Sequence, residues 1–220
     1  MNDESTIKDG RELKGAAMRA RLRAATEKII AEVGVEAASG KAVAEYCGVS
    51  RGAMLHHYPT RDDLIIDTAR HFWARAKDVV IRQAEDVASG RADVRSYVMT
   101  LYNEVFPPNA LVTMLDLVVL GRTETRIGSA VNEILTELFH AYEEFGIRAL
   151  SGSNLPQEDL RVVVTFTVST LRGLRLQNNI EPDKAKEAAV IDMLTDLIEQ
   201  RIAAAPSGSG TAPKAAKEVT

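Results

Sequence analysis

The chain has a single cysteine, Cys47, in 220 residues. An internal disulfide needs two and a cysteine-built metal site needs more, so neither can be formed within the chain. Aromatic residues are scarce, at 5%, and each therefore stands out on an otherwise aliphatic helix. No apolar run approaches the roughly 20 residues of a membrane span. The opening residues, Met1-Asn2-Asp3-Glu4, are acidic and polar rather than basic and then apolar, so no secretion signal is expected. These absences predict a cytoplasmic protein with no membrane partner. Enzyme signatures are missing too: there is no glycine-rich phosphate loop and no nucleophile elbow. A di-iron helical bundle would use two Glu-x-x-His motifs, and only Glu137 to His140 has that spacing. An enzyme is not expected, and neither is a metal or a cofactor.

The charge that is present is unevenly spread. The net formal charge is -4, an unpromising value for a nucleic-acid binder, but distribution matters more than the sum. Residues 1–61 hold ten Lys/Arg against eight Asp/Glu. Lys8, Arg11, Lys14, Arg19, Arg21 and Arg23 supply most of those positive charges. They suit either a solvated tail or a DNA-contacting arm.

Hydrophobic spacing reads as helix throughout, about nine in all. Residues 1–17 are expected to be a flexible arm. Leu22, Ala25, Thr26, Ile29, Ile30 and Val33 then recur at steps of three and four, placing them on one helical face, and Gly34 is a C-cap candidate. Ser39 can cap a short helix over 41–47, and Ser50 another over 51–57, with Gly48-Val49-Ser50 as the turn between them. Thr60 with Asp63 forms a capping-box pattern that opens a fourth helix, reaching about Val87. Further helices are predicted over 94–105, 110–120, 125–150, 156–177 and 182–204. The β-branched run Val162–Val168 has strand-like composition, but it has no strand partner and reads as a helix buried on more than one side. Residues 206–220 are too poor in apolar residues to fold and are expected to be disordered. The expected fold class is all-α: a three-helix helix-turn-helix domain over 18–64, followed by a larger helical ligand-binding and dimerisation domain over 65–205.

Two short helices joined by a glycine-containing turn form the helix-turn-helix arrangement, whose second helix enters the major groove. The stretch Arg21 to Leu64 resembles the tetracycline-repressor-like (TetR) family of bacterial regulators. The residues at matching offsets are Arg21, Ala25, Gly34, Val43-Ala44, Gly48-Val49-Ser50, Gly52, His57-Tyr58, Thr60-Arg61 and Leu64. There are departures. Leu55 stands where an aromatic hydroxyl often reaches a phosphate, Arg61 replaces Lys, Tyr58 replaces Phe, and Gly40 replaces a β-branched residue. Carried over by position, the resemblance makes Ser39, Lys41, Ser50, His57, Tyr58 and Arg61 candidate phosphate contacts. Arg51, Ala53, Met54 and His56 are candidates for base edges, with Met54 as readily core as reader. Arg51 could pair with guanine in a fork, and Ala53 could touch only a thymine methyl.

The resemblance also implies a ligand pocket in the second domain and a four-helix bundle between two subunits. Candidate ligand-lining residues are Met99, Tyr102, Phe106, Met114, Phe139, Tyr142, Thr165, Phe166 and Ser169. Any one of them could equally be ordinary core. The expected dimer face lies on the last two helices, with Val163, Val164, Thr167, Leu171 and Leu174 on one and Val190, Leu194, Leu197, Ile198 and Arg201 on the other. The function implied is a homodimeric, ligand-responsive repressor. It would leave a palindromic operator DNA when a small, largely apolar or aromatic effector binds.

Overall fold

The computed structural model describes residues 3–122 and 125–205, with side-chain surroundings from Glu12 onward. Among these residues there are nine α-helices and no strand. The tail 206–220, expected to be disordered, lies outside the described residues.

Helix α1 spans Asp3–Val33. It therefore includes residues 3–17, which sequence composition suggests are a flexible arm. Leu22, Ala25, Thr26, Ile29 and Ile30 are all buried along one face as their spacing predicts, whereas Val33 at the helix end is exposed. A 3-10 turn over Val35–Ala37 leads to α2 (Gly40–Tyr46) and α3 (Arg51–His57). Gly34 and Gly48 take φ of 91° and 61°, in the left-handed region that a side chain disfavours. The serine caps form as expected: Ser39 accepts from the Ala42 N–H and Ser50 from the Ala53 N–H. Thr60 and Asp63 make the full capping box at the start of α4, Arg61–Ala88. Such a cap stabilises a helix by about 1 kcal/mol.

Helix α4 begins in the helix-turn-helix and runs on into the larger domain, where it packs along α7 (Arg126–Ala149). The sequence-based boundary at residue 64 thus falls inside one continuous helix. α5 (Val94–Thr100) passes into a π-helical turn over Leu101–Val105, where the spacing predicts ordinary helix to 105. Arg175 meets this turn from α8, Gln157–Ile180. Its Nε donates to the Phe106 carbonyl at 2.7 Å and its Nη2 to the Tyr102 carbonyl at 2.9 Å, satisfying acceptors that the wider turn leaves open.

Helix α6 covers Pro108–Gly121, α8 covers Gln157–Ile180 and α9 covers Lys184–Ala203. The β-branched run in α8 is helical, but it is buried on one side only. Val163, Val164, Thr167 and Val168 face the core, while Val162 and Phe166 face outward at 67% and 47% exposure. Among the described residues, no single helix is long and apolar enough to cross a membrane.

Candidate DNA interface and effector site

The helix-turn-helix presents α3 outward. Arg51, Ala53, Leu55 and His56 are exposed on it, so three of the four candidate base readers are free to reach a groove. Met54 is not. It is 2% exposed and lies against α2, where a Cβ placed on Gly40 would stand 2.4 Å from the Met54 Cε. The methionine occupies the space that a β-branched residue at 40 would need. This accounts for the unusual glycine and makes Met54 core rather than reader.

Lys41 is exposed, and its ammonium lies 3.8 Å from the Glu45 carboxylate. Ser39 and Ser50 spend their oxygens on caps, though each hydroxyl keeps a proton to donate. His57 is half-buried beside His56, ring centroids 5.3 Å apart. Burial lowers its pKa below the ordinary 6.5, and the nearby His56 and Arg19 push the same way.

Two of the candidate phosphate contacts have internal work. Tyr58 is 4% exposed, and its hydroxyl donates to Asp67 at 2.5 Å. Arg23 donates to the same carboxylate at 3.0 Å, tying α1, the end of α3 and α4 together. Burial, aided by the Asp67 charge, pushes the Tyr58 phenol up to about 12. Burial alone would raise Asp67, but the hydrogen bonds from Tyr58 and Arg23 outweigh it and hold the carboxylate low. Arg61 donates through Nε to the Ala38 carbonyl at 3.1 Å and through Nη2 to the Val35 carbonyl at 2.6 Å. Its guanidinium braces the turn before α2, while the side chain keeps 30% exposure.

The larger domain touches this unit directly. Asp116 on α6 accepts from the Val35 N–H at 3.0 Å. Beside that contact, a cleft of about 800 Å³ lies between α1, α4, the π turn and α6. Ala24, Lys28, Phe72, Val105 and Thr113 are among its lining residues.

Of the candidate ligand-lining residues, three converge. Phe106 and Tyr142 are buried, with centroids 5.9 Å apart, and Phe139 is half-exposed. Between them lies a side chain that sequence reasoning passed over. The Arg172 Cζ is 4.8 Å from the Phe139 ring centroid and 5.4 Å from those of Phe106 and Tyr142. Burial lowers the pKa of this guanidinium, against the pull of Tyr142. Tyr102 is buried under Arg175 instead, with the guanidinium carbon 3.6 Å from its ring centroid, and accepts a hydrogen bond from Asn178. Met114 is buried on α6, and Met99 is at the surface of α5. Thr165, Phe166 and Ser169 do not line an interior cavity: all three are exposed on the outer face of α8. Nothing in the spacing marks Arg172, because an arginine in a helix normally reaches solvent.

Most of the expected dimer face is turned inward, although Leu197 and Arg201 of that face are exposed. Val163, Val164, Thr167, Leu171, Leu174, Leu194 and Ile198 pack into the chain's own core. The outward apolar residues are Val162, Phe166, Leu176 and Ile180 on α8 and Met193 and Leu197 on α9.

Residues 22–68 match the family described as bacterial regulatory proteins, tetR family. An HTH-type transcriptional regulator of Mycobacterium tuberculosis is 26% identical over 180 residues, which cover 81% of this chain and 91% of that protein. A transcriptional regulator from Rhodococcus sp. Rha1 has a similar solved structure, with a TM-score of 0.68 at 22% identity, covering 86% of this chain and 99% of that one. Another, from Saccharomonospora viridis and solved in complex with choline, gives a TM-score of 0.65 at 18% identity, covering 85% and 98%.

Proposed function

The chain is a DNA-binding transcriptional regulator of the tetR family, and from that premise we propose that it is a repressor: a homodimer on a palindromic operator, released when a small apolar or aromatic molecule binds in the helical domain. The observation that carries the effector reading is the Asp116–Val35 hydrogen bond, which joins a helix of the larger domain to the turn that positions α2 and α3. Pairing is supported by the outer face of α8. Val162, Phe166, Ser169, Gly173, Leu176 and Ile180 recur at steps of four and three, the spacing of a helix-packing seam, and all are exposed. The small residues at its centre let a second helix approach closely. In a dimer, two α3 helices about 34–36 Å apart would enter successive major grooves. A molecule wedged against α6 or α4 that favours another spacing weakens DNA binding by its difference in affinity for the two states.

On α3, Arg51 and His56 would read bases, with Ala53 against a thymine methyl. Ser39, Lys41, Ser50 and His57 would hold phosphates. The test is selection of bound DNA from a random pool, followed by titration of the selected site. A palindrome with half-sites one helical turn apart is the expected result. Arg51→Ala should relax preference at one position per half-site. A non-palindromic or featureless selection would overturn the dimeric operator reading.

A further inference from the structure

Arg172 and Arg175 sit one helical turn apart on α8, and both lie over aromatic rings. Their hydrogen bonding differs. Arg175 donates to two main-chain carbonyls. The Arg172 Nε and Nη2 are buried with no acceptor among the described residues. Three ring faces offset part of the cost of burying its charge, but they cannot accept in-plane N–H hydrogen bonds as an oxygen would. The Tyr142 hydroxyl acts on the guanidinium, but two of its buried donors stay unpaired, which is costly for a charged group, and among the described residues no carboxylate pairs with it: the ion pairs formed by neighbouring α8 and α7 residues engage Arg161 with Glu143 and Arg148 with Glu85.

We propose that Arg172 is the anchor of the effector site and that the effector is a monocarboxylate with an apolar or aromatic body. This inference rests on the effector reading above. The carboxylate takes the guanidinium fork, whose planar donors match it two to two. The body packs against Phe106, Tyr142 and Phe139. Phe106 and Tyr142 form the buried end, and Phe139, at 44% exposure, forms the end that opens to solvent. One arginine in apolar surroundings balances one negative charge, which favours a carboxylate over a phosphate dianion. Phe106 follows directly on the π turn and shares its carbonyl with Arg175. Occupancy at Arg172 would therefore press on the segment leading into α6, the helix that carries Asp116.

The test uses the full chain and a carboxylate series from acetate through benzoate, phenylacetate and octanoate to naphthoate. Each acid is paired with its carboxamide, and inorganic phosphate is the anion control. Thermal shift reads binding, and titration of the selected operator reads release. The expected result is a concentration-dependent rise in melting temperature and a tenfold or greater loss of DNA affinity with at least one larger carboxylate. Its amide, acetate and phosphate should do neither. Arg172→Met should melt no lower than the parent without ligand, bind operator normally and lose the response. Should it fail to fold, Arg172→Lys, which keeps the charge without the fork, must melt near the parent and bind the carboxylate at least tenfold more weakly. If amides match their acids, or the Arg172 variants respond fully, the anion inference is overturned while the effector reading stands. If no carboxylate binds at millimolar concentration, the inference is likewise overturned, the result expected were a carboxylate of a second copy to hold Arg172. If carboxylates bind at Arg172 and DNA affinity does not change, the site stands and its role as effector site falls.

Discussion

The Asp116 carboxylate, on α6, receives the backbone N–H of Val35 across 3.0 Å. Val35 is 81 positions earlier in the chain, in the turn between α1 and α2. Its carbonyl in turn accepts from Arg61, at the first residue of α4. One peptide segment is thus held by the larger domain on one side and by the start of the long connecting helix on the other.

That arrangement predicts a split phenotype for Asp116→Ala. Losing a charge-assisted hydrogen bond should cost about 1.5–3 kcal/mol at most, visible as an earlier urea midpoint. Operator affinity in the absence of effector should fall less than tenfold, since the contacts of α3 are untouched. The effector-linked change in affinity should shrink. A variant that responds as strongly as the parent would place the coupling elsewhere, in α4 or in the packing of α1 on α6.

Gly40 and Met54 predict a non-additive pair. Gly40→Thr puts atoms where the Met54 Cε lies. Because the methionine tip is flexible, the expected cost is about 1–2 kcal/mol rather than unfolding. Met54→Ala empties the same space and should cost about 2–3 kcal/mol alone. The double variant should be more stable than the sum of the two losses implies, by at least 0.5 kcal/mol. Strict additivity in denaturant melts would mean that the two positions do not share that space.

This pair also marks where the sequence could be read and where it could not. Local signals were legible: Ser39, Ser50 and Thr60 cap the helices that their spacing predicts, and Gly48 makes the turn. Periodicity placed α8 as a helix but gave the wrong outer face. Val163 and Phe166 differ by three positions, and both are apolar, so only packing against α7 and α9 decides which one turns inward. The same limit hid the arginines. Arg172 and Arg175 look like solvated residues until the fold brings aromatic residues 30 to 73 positions away over them. Tyr58 and Arg61 match the family's positions, yet what they hold here are Asp67 and two carbonyls.

The outer stripe predicts a dimer sensitive to a single charge. Phe166→Glu places a carboxylate mid-seam, where pairing would bury it without a partner. Light scattering should show a stable dimer for the parent at micromolar concentration and a monomer for this variant. Because Phe166 is half-exposed in the single chain, the variant should keep its helical circular dichroism. Val164→Glu would not discriminate, since Val164 is core and its loss unfolds the chain. A dimeric Phe166→Glu protein would move the interface off α8.

His57 gives opposite pH trends for folding and for DNA binding. In the free protein its pKa is held below 6.5. The unfolded chain therefore takes up the proton first as pH falls, and the stability that neutral His57 contributes above 6.5 is lost as pH drops through the lower folded value. The loss is small because the ring is only partly buried. On DNA the balance reverses: a phosphate near the imidazole favours its charged form, so binding takes up a proton. Operator affinity should rise as pH falls from 7.5 toward 5.5 at constant ionic strength, approaching tenfold per unit where one proton is fully taken up. His57→Gln should flatten that slope and leave the sequence preference unchanged, since phosphate contacts carry no base information. Anisotropy titrations of parent and variant across this range decide it. A parent slope that survives in the variant would assign the proton to another group and remove His57 from the phosphate-facing set.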